Sequence, residues 1–300
     1  MAVLLGFAGI TLMSGAMAQT YEVTTRQAVE YAVHDGVHLV GDFYAPKRSD
    51  RAPVMVAAHG GGWQQGDRSS YRFWGPYLAR AGIALFSIEY RLSKPDKPVF
   101  PQAVHDMRAA VQLMRGRASE FNIDPDRIGV MGDSAGGHLA AMVGLAGDSE
   151  LFAGVYRDDP HVSLSTRVKA VVSFYGVYDV AAQWNHDLSS RPRDSIVAKF
   201  LGKPLFDDRK LYFDASPLSH VTVRPNAPSF YLAWGSEDDI VDQPSQALPF
   251  RDALKQAGYY VRTVIIPGAP HFWASDPIEE TGSYSGVAAP RILRFLQEKL

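Results

Sequence analysis

The sequence contains no cysteine, no surplus of positive charge and no internal repeat. Without cysteine there is no disulfide framework, no zinc–thiolate site and no thiol nucleophile. Lys plus Arg number 30 against 32 Asp plus Glu, a formal net charge of −2. No basic excess points to nucleic acid, and no charge run suggests a membrane-binding tail. Beyond residue 20 no linker or low-complexity stretch divides the chain. What remains is 300 residues, 46% hydrophobic and 21% charged, enough for one large α/β domain or two small ones.

The first residues differ from the rest. Met1 to Ala18, MAVLLGFAGITLMSGAMA, is uncharged, apolar and ends in A-x-A. That pattern is expected of a secretory signal and is too short for a spanning helix, although its start carries no Lys or Arg. The alternative is an N-terminal anchor or a merely apolar start. The expectation is a signal peptide over 1–18 and one domain over 19–300. The protein would then be periplasmic or secreted, without stable membrane insertion after signal removal.

Two alternating runs, 27–33 and 37–44, flank His34-Asp35-Gly36 and predict a hairpin. From residue 53 strand-like runs at 53–58, 84–88, 128–131, 170–175, 229–234 and 259–266 interleave with helical patterns. The helices are expected near 71–81, 103–115, 135–145, 245–257 and 289–299. Such alternation predicts a mostly parallel sheet with helices on both faces, the hairpin adding an antiparallel edge. The segment 180–220 is polar and too long for a simple connection, so it reads as a surface excursion or a cap over a site.

Chemistry first shows in HGGGWQQG, residues 59–66, directly after the apolar run 53–58. Glycines there let backbone turn sharply or approach something closely. Gly61 and Gly66 have phosphate-loop spacing, but Asp67-Arg68 stands where Lys and Ser or Thr are needed, which rules that reading out. The other reading is an oxyanion hole, which requires a nucleophile elsewhere.

Gly132-Asp133-Ser134-Ala135-Gly136 supplies one. G-x-S-x-G between a short apolar strand and a small-residue helix is the context of a nucleophile elbow. The glycines remove side chains that would collide across the turn, and the following helix directs its N–H groups to the same place. A serine hydroxyl needs a base oriented by a carboxylate, in the chain order serine, acid, histidine. His271, in PGAPHFW just after a strand, is the expected base. His138 projects from the helix after Ser134 and reads as structural; His161, His186 and His220 lie in polar segments. The acid comes from WGSEDDIVD, where Asp238 is preferred, Asp239 is second, and Glu237 and Asp242 read as solvated.

His59-Gly60-Gly61-Gly62 together with Gly132 to Gly137 resembles the hormone-sensitive-lipase-like and feruloyl-esterase-like branch of the α/β-hydrolases. EYRLS, FPQAVHDMRAAVQ, NIDPDRIGVMGDSAGGHLAA, ASPLSHV, WGSEDDIV and PGAPHFW follow in family order from about residue 25 onward. The resemblance implies an α/β-hydrolase fold of about eight strands with a small cap insertion near 180–220. Its G-x-x-D-x-x-V pattern falls on Gly235, Asp238 and Val241, favouring Asp238. It further implies an oxyanion hole from the amides of Gly61, Gly62 and Ala135, with His59 fixing the loop. Two departures stand out: Asp242 where the family often has Pro, and Pro270 where it often has Gly.

The expected activity is hydrolysis of a small ester, short-chain, acetylated-sugar or aromatic, by a Ser134–His271–Asp238 triad without metal or organic cofactor. Trp63, Trp184, Phe272 and Trp273 flank the expected loops and are candidate substrate contacts, or packing residues. The alternatives are an amidase or formamidase with the same triad, and a catalytically silent ligand-binding homologue. No motif specifies an oligomeric state.

Overall fold

A computed structural model of the chain describes residues 20–300; the expected signal segment, 1–18, lies outside the described residues. Strands β1 (Val23–His34) and β2 (Val37–Pro46) are joined by Asp35-Gly36, both at positive φ (52° and 75°). That is the type I′ geometry for which Asp-Gly is suited. Then come β3 (Ala52–Ala58), α1 (Trp74–Arg80), β4 (Ala84–Ile88), α2 (Gln102–Gly116), β5 (Ile123–Asp133) and α3 (Ala135–Ala146). β6 (Ala170–Phe174), α4 (Val180–Ser190), α5 (Ile196–Leu201) and α6 (Arg209–Asp214) follow. The chain closes with β7 (Ser229–Gly235), α7 (Ala247–Gln256), β8 (Val261–Ile266) and α8 (Tyr284–Lys299).

One eight-stranded sheet runs in the order β1-β2-β4-β3-β5-β6-β7-β8. β2 pairs antiparallel with β1 and β4, and the pairs from β4 to β8 are parallel. Every residue of β3, β4 and β6 is buried, which demands cover on both faces and explains their unbroken apolar runs. The parallel order brings the loops that follow β3, β5, β7 and β8 to one end of the sheet.

Three expected boundaries shift for local reasons. The helix expected over 71–81 opens as a 3-10 turn, Arg68–Tyr71, capped by Asp67, and becomes α-helical only at Trp74. Pro76 fits there because the first helical turn leaves its N–H groups unused. β5 begins at Ile123 because that residue already pairs beside Ala52 of β3. α8 begins at Tyr284, capped by Ser283, so Pro290 lies inside the helix instead of near its start.

The polar segment 180–220 is three short helices and a 3-10 turn, Pro217–His220. Three polar residues cap its helices: Asp179, Ser195 and Asp208 accept from the amides of Ala182, Ala198 and Leu211. Asp187 is fully buried and joins α4 to α5, accepting from the amides of Ile196 (3.0 Å) and Val197 (3.3 Å) and from Gln183 Nε2 (3.1 Å). Arg191 Nε lies 3.6 Å from Oδ1 of the same carboxylate. Phe200 of α5 stacks on Trp63 with ring centroids 4.1 Å apart, tying the insertion to the core. Among the described residues no helix is long and apolar enough to cross a membrane.

Asp187→Ala strands several buried donors and one cation at once. It should lower unfolding stability by about 3 kcal/mol in urea and raise amide exchange across α4 and α5; unchanged exchange there would show that the corner is held by other contacts.

Candidate active site

The turn from β5 into α3 leaves no room for side chains. A Cβ at Gly132 would lie 2.1 Å from the Gly136 carbonyl oxygen, and one at Gly136 would lie 1.9 Å from that of Ala58. Between them Ser134 adopts φ 51° and ψ −117°, a strained conformation for a residue with a side chain. Its amide donates to the Phe174 carbonyl of β6 (2.8 Å), which holds the turn against the sheet.

The loops after β7 and β8 bring two further side chains to this serine. His271 Nε2 lies 2.9 Å from Ser134 Oγ, and its Nδ1 lies 2.8 Å from Asp238 Oδ2. The side chains of His271 and Asp238 are each only 1% exposed. Asp238 also accepts from the amides of Ile240 (3.1 Å) and Val241 (3.0 Å) and from Gln243 Nε2 (3.2 Å). Surrounded by N–H donors, it accepts the Nδ1–H hydrogen bond of His271, and that tautomer leaves Nε2 free to accept from the serine hydroxyl. Asp239 is exposed instead, and its carbonyl pairs with His186 Nε2.

After β3 the chain reverses through Gly61 (φ 107°) and Gly62 (φ 60°). The amides of Gln64 and Gln65 both donate to the Gly61 carbonyl (3.1 Å each) and close the turn. Among the described residues the amides of Gly61 and Gly62 donate to no protein acceptor. Ala135, first residue of α3, has an N–H that the helix leaves unused. His59 Nδ1 is bonded to the Gly60 carbonyl (2.7 Å), and its ring stacks on Tyr90, so it braces the loop. Burial lowers its pKa and favours the neutral ring.

A family model described as BD-FAE matches residues 41–254. The chain belongs to the BD-FAE family. It is similar to esterase LipC of Mycobacterium tuberculosis, 31% identical over 258 residues that make up 82% of this chain and 58% of LipC. Among solved structures it resembles a truncated carbohydrate esterase from gut microbiota (TM-score 0.75, 24% identity, 95% of this chain and 99% of that one). It also resembles the acetyl ester-xyloside bifunctional hydrolase of Caldicellulosiruptor lactoaceticus (TM-score 0.71, 28% identity, 87% of each chain). The fold is that of α/β-hydrolase esterases. The chain spans about half the length of the curated relatives it matches, from 45% to 58% for three mycobacterial ones.

In this BD-FAE chain neither departure separates Asp238 from His271. Asp242 turns away and accepts from the Ser245 amide (3.2 Å). Ahead of Pro270, Ala269 is fully buried, its carbonyl against Gly235. The serine opens onto a cavity of about 280 Å³, whose lining includes Trp63, Gln183, Arg191, Ile196, Val241 and Phe272. Two of the four expected aromatic contacts therefore reach it. The other two do not: Trp184 packs on Phe206 and Tyr212, and Trp273 is buried against Phe174 and Tyr175. Their adjacency in sequence to the loops said nothing about which way the side chains turn. His138 is buried, donates from Nε2 to the Ala215 carbonyl (2.8 Å), and is kept neutral by burial, its pKa lowered to about 4. Among the described residues no group of three His, Asp or Glu side chains could hold a metal ion.

Sequence reading passed over Asp133, the residue between Gly132 and Ser134 in the elbow. Its Oδ1 accepts from the Gly60 amide (3.0 Å) and from the Tyr71 hydroxyl (3.1 Å), so it ties the elbow to the glycine loop. The only available signal was an acidic residue inside an otherwise small, apolar motif. Burial raises its pKa to about 6 from an ordinary 3.8. The folded chain thus holds this proton more tightly than the unfolded one. That stabilisation is complete below about pH 4 and is lost as pH rises through about 6. Asp133→Asn, measured by urea unfolding between pH 4 and 7.5, should remove this component and flatten the decline; an unaltered slope would place the titration elsewhere.

Proposed function

We propose that this chain is a serine carboxylesterase acting on small esters through an acyl-enzyme. The observation that carries this reading is the unbroken relay Ser134–His271–Asp238 beside a substrate-sized cavity. His271 takes the Ser134 proton as the hydroxyl oxygen attacks the ester carbonyl, and Asp238 stabilises the imidazolium that forms. The tetrahedral oxyanion is received by the amides of Gly61, Gly62 and Ala135, each such donor contributing on the order of 3 kcal/mol to the transition state. His271 then protonates the departing alcohol, and water enters by the same route in reverse to release the acid.

The cavity, about 280 Å³, lies at the small end of ligand pockets and favours a short acyl group. The names of the relatives, an esterase and an acetyl ester-xyloside hydrolase, support ester over amide. The apolar segment 1–18 supports action outside the cytoplasm.

Ser134→Ala should lower kcat on 4-nitrophenyl acetate by about 10⁴-fold or more. Asp238→Asn, which keeps the shape but loses the tautomer control, should cost about 10⁴-fold, whereas Asp239→Asn should stay within about threefold of wild type. Near-normal hydrolysis by the Ser134 variant would sink the mechanism.

A further inference from the structure

Phe272 combines features that its position beside the relay does not require. Its φ is 69°, a left-handed conformation that glycine adopts freely and an aromatic residue adopts only under constraint. The residue is 59% exposed, although it lines the same cavity as Ser134. Its ring stands edge-on to His271, centroids 4.5 Å apart and planes at 85°.

The constraint comes from the residues that follow. Trp273 is buried and its carbonyl accepts from Ser285 Oγ (2.8 Å). The Ala274 amide donates to the Tyr175 hydroxyl (2.9 Å), and the Ala274 carbonyl accepts from Trp74 Nε1 (2.8 Å). These contacts would hold a glycine at 272 equally well, so backbone geometry gives no reason for a phenyl ring there. The ring itself has to be the reason.

We propose that Phe272 is the specificity-determining residue for the alcohol half of the ester, its ring forming a platform for the flat apolar face of a pyranose. The proposal rests on the serine-esterase reading above. In acyl transfer the leaving oxygen must meet the proton of His271 Nε2, so the alcohol lies against that histidine, on the side where the Phe272 ring stands. The glycine amides and Trp63 then border the acyl side. The same cavity is lined by Arg191 and Asp194 at the end of α4. Arg191 is oriented by buried Asp187 (3.6 Å) and Asp194 pairs with Lys199, so donors and acceptors are available for hydroxyls. An apolar ring face with a polar rim is what a sugar ring presents, and a simple alkyl alcohol would use only half of this wall.

The test compares two acetyl esters that differ only in the alcohol, ethyl acetate and xylose tetraacetate, on the full chain. Phe272→Gly suits the backbone and removes the ring; Phe272→Leu keeps apolar bulk without a flat face. In Phe272→Gly the ratio of kcat/KM on the sugar ester to that on ethyl acetate should fall about tenfold, mainly through KM, with Phe272→Leu in between. An unchanged ratio in Phe272→Gly would overturn the proposal, whether both rates fall together or neither does. Binding gives a readout independent of turnover. In a Ser134→Ala background, the calorimetric Kd for xylose tetraacetate should weaken about tenfold when Phe272→Gly is added, and an unchanged Kd would overturn the platform. If wild type hydrolyses neither ester while this Kd still weakens, the ring binds the sugar but its role in ester specificity is overturned together with the esterase reading. If wild type hydrolyses both and neither the ratio nor the Kd moves, the platform fails alone.

Discussion

The carboxylate of Asp133 sits where the two central loops of the sheet meet, accepting the Gly60 amide on one side and the Tyr71 hydroxyl on the other. β3 and β5 pair in register, so their carboxyl ends are held together by the sheet itself. What the sheet does not fix is the orientation of the glycine loop that follows β3, because glycines have no side chains to pack. A buried hydrogen bond from the Gly60 amide to this carboxylate supplies that orientation. The desolvation it entails appears as the raised pKa of the group. Gly61 and Gly62 line the cavity, and the residue before them is tied to the residue before the serine.

Around the cavity the chain repeatedly takes conformations that side chains disfavour. Trp63, Ser134, Tyr175 and Phe272 all have positive φ, at 57°, 51°, 37° and 69°. Each is held by neighbours that leave it no alternative. Trp63 is stacked on Phe200, Ser134 is pinned by its amide bond to β6, and Tyr175 is wedged between Phe174, Trp273 and His271. Strain of this kind persists only where packing over-determines it, and here the packing belongs to the core. The rigidity of the site is therefore a property of the whole sheet end, beyond the three residues of the relay.

The insertion after β6 completes the enclosure. Ile196 of α5 stands so close to the glycine loop that a Cβ at Gly62 would lie 2.8 Å from its Cγ2. The third glycine of HGGG is thus required twice, once by its backbone angle and once by the helix above it. Gln183 of α4 reaches the Ile240 carbonyl in the acid loop (3.0 Å), so the insertion also touches the loop that carries Asp238. Buried Asp187 is the corner on which both contacts depend, since it holds α4 and α5 in one unit.

Much of this was legible in the letters. Unbroken apolar runs specify strands covered on both faces, and Asp35-Gly36 specifies a type I′ turn, because these are local consequences of burial and backbone freedom. G-x-S-x-G and HGGG were legible for the same reason: close approach of backbone to backbone excludes side chains, and the exclusion is written as glycine. Asp238 could be preferred to Asp239 by its spacing from Gly235, although only the contact with His271 separates a buried acceptor from an exposed neighbour. The segment 180–220 concealed its helices because each is short and because Asp179, Ser195 and Asp208 are caps whose partners lie one turn away. Tertiary structure alone decided the rest. Asp133 gained its role from a loop 73 residues earlier in the chain, Trp184 and Trp273 turned into the core, and Phe272 was left standing at the cavity. The direction of a side chain depends on what is packed around it, and those neighbours come from distant parts of the sequence.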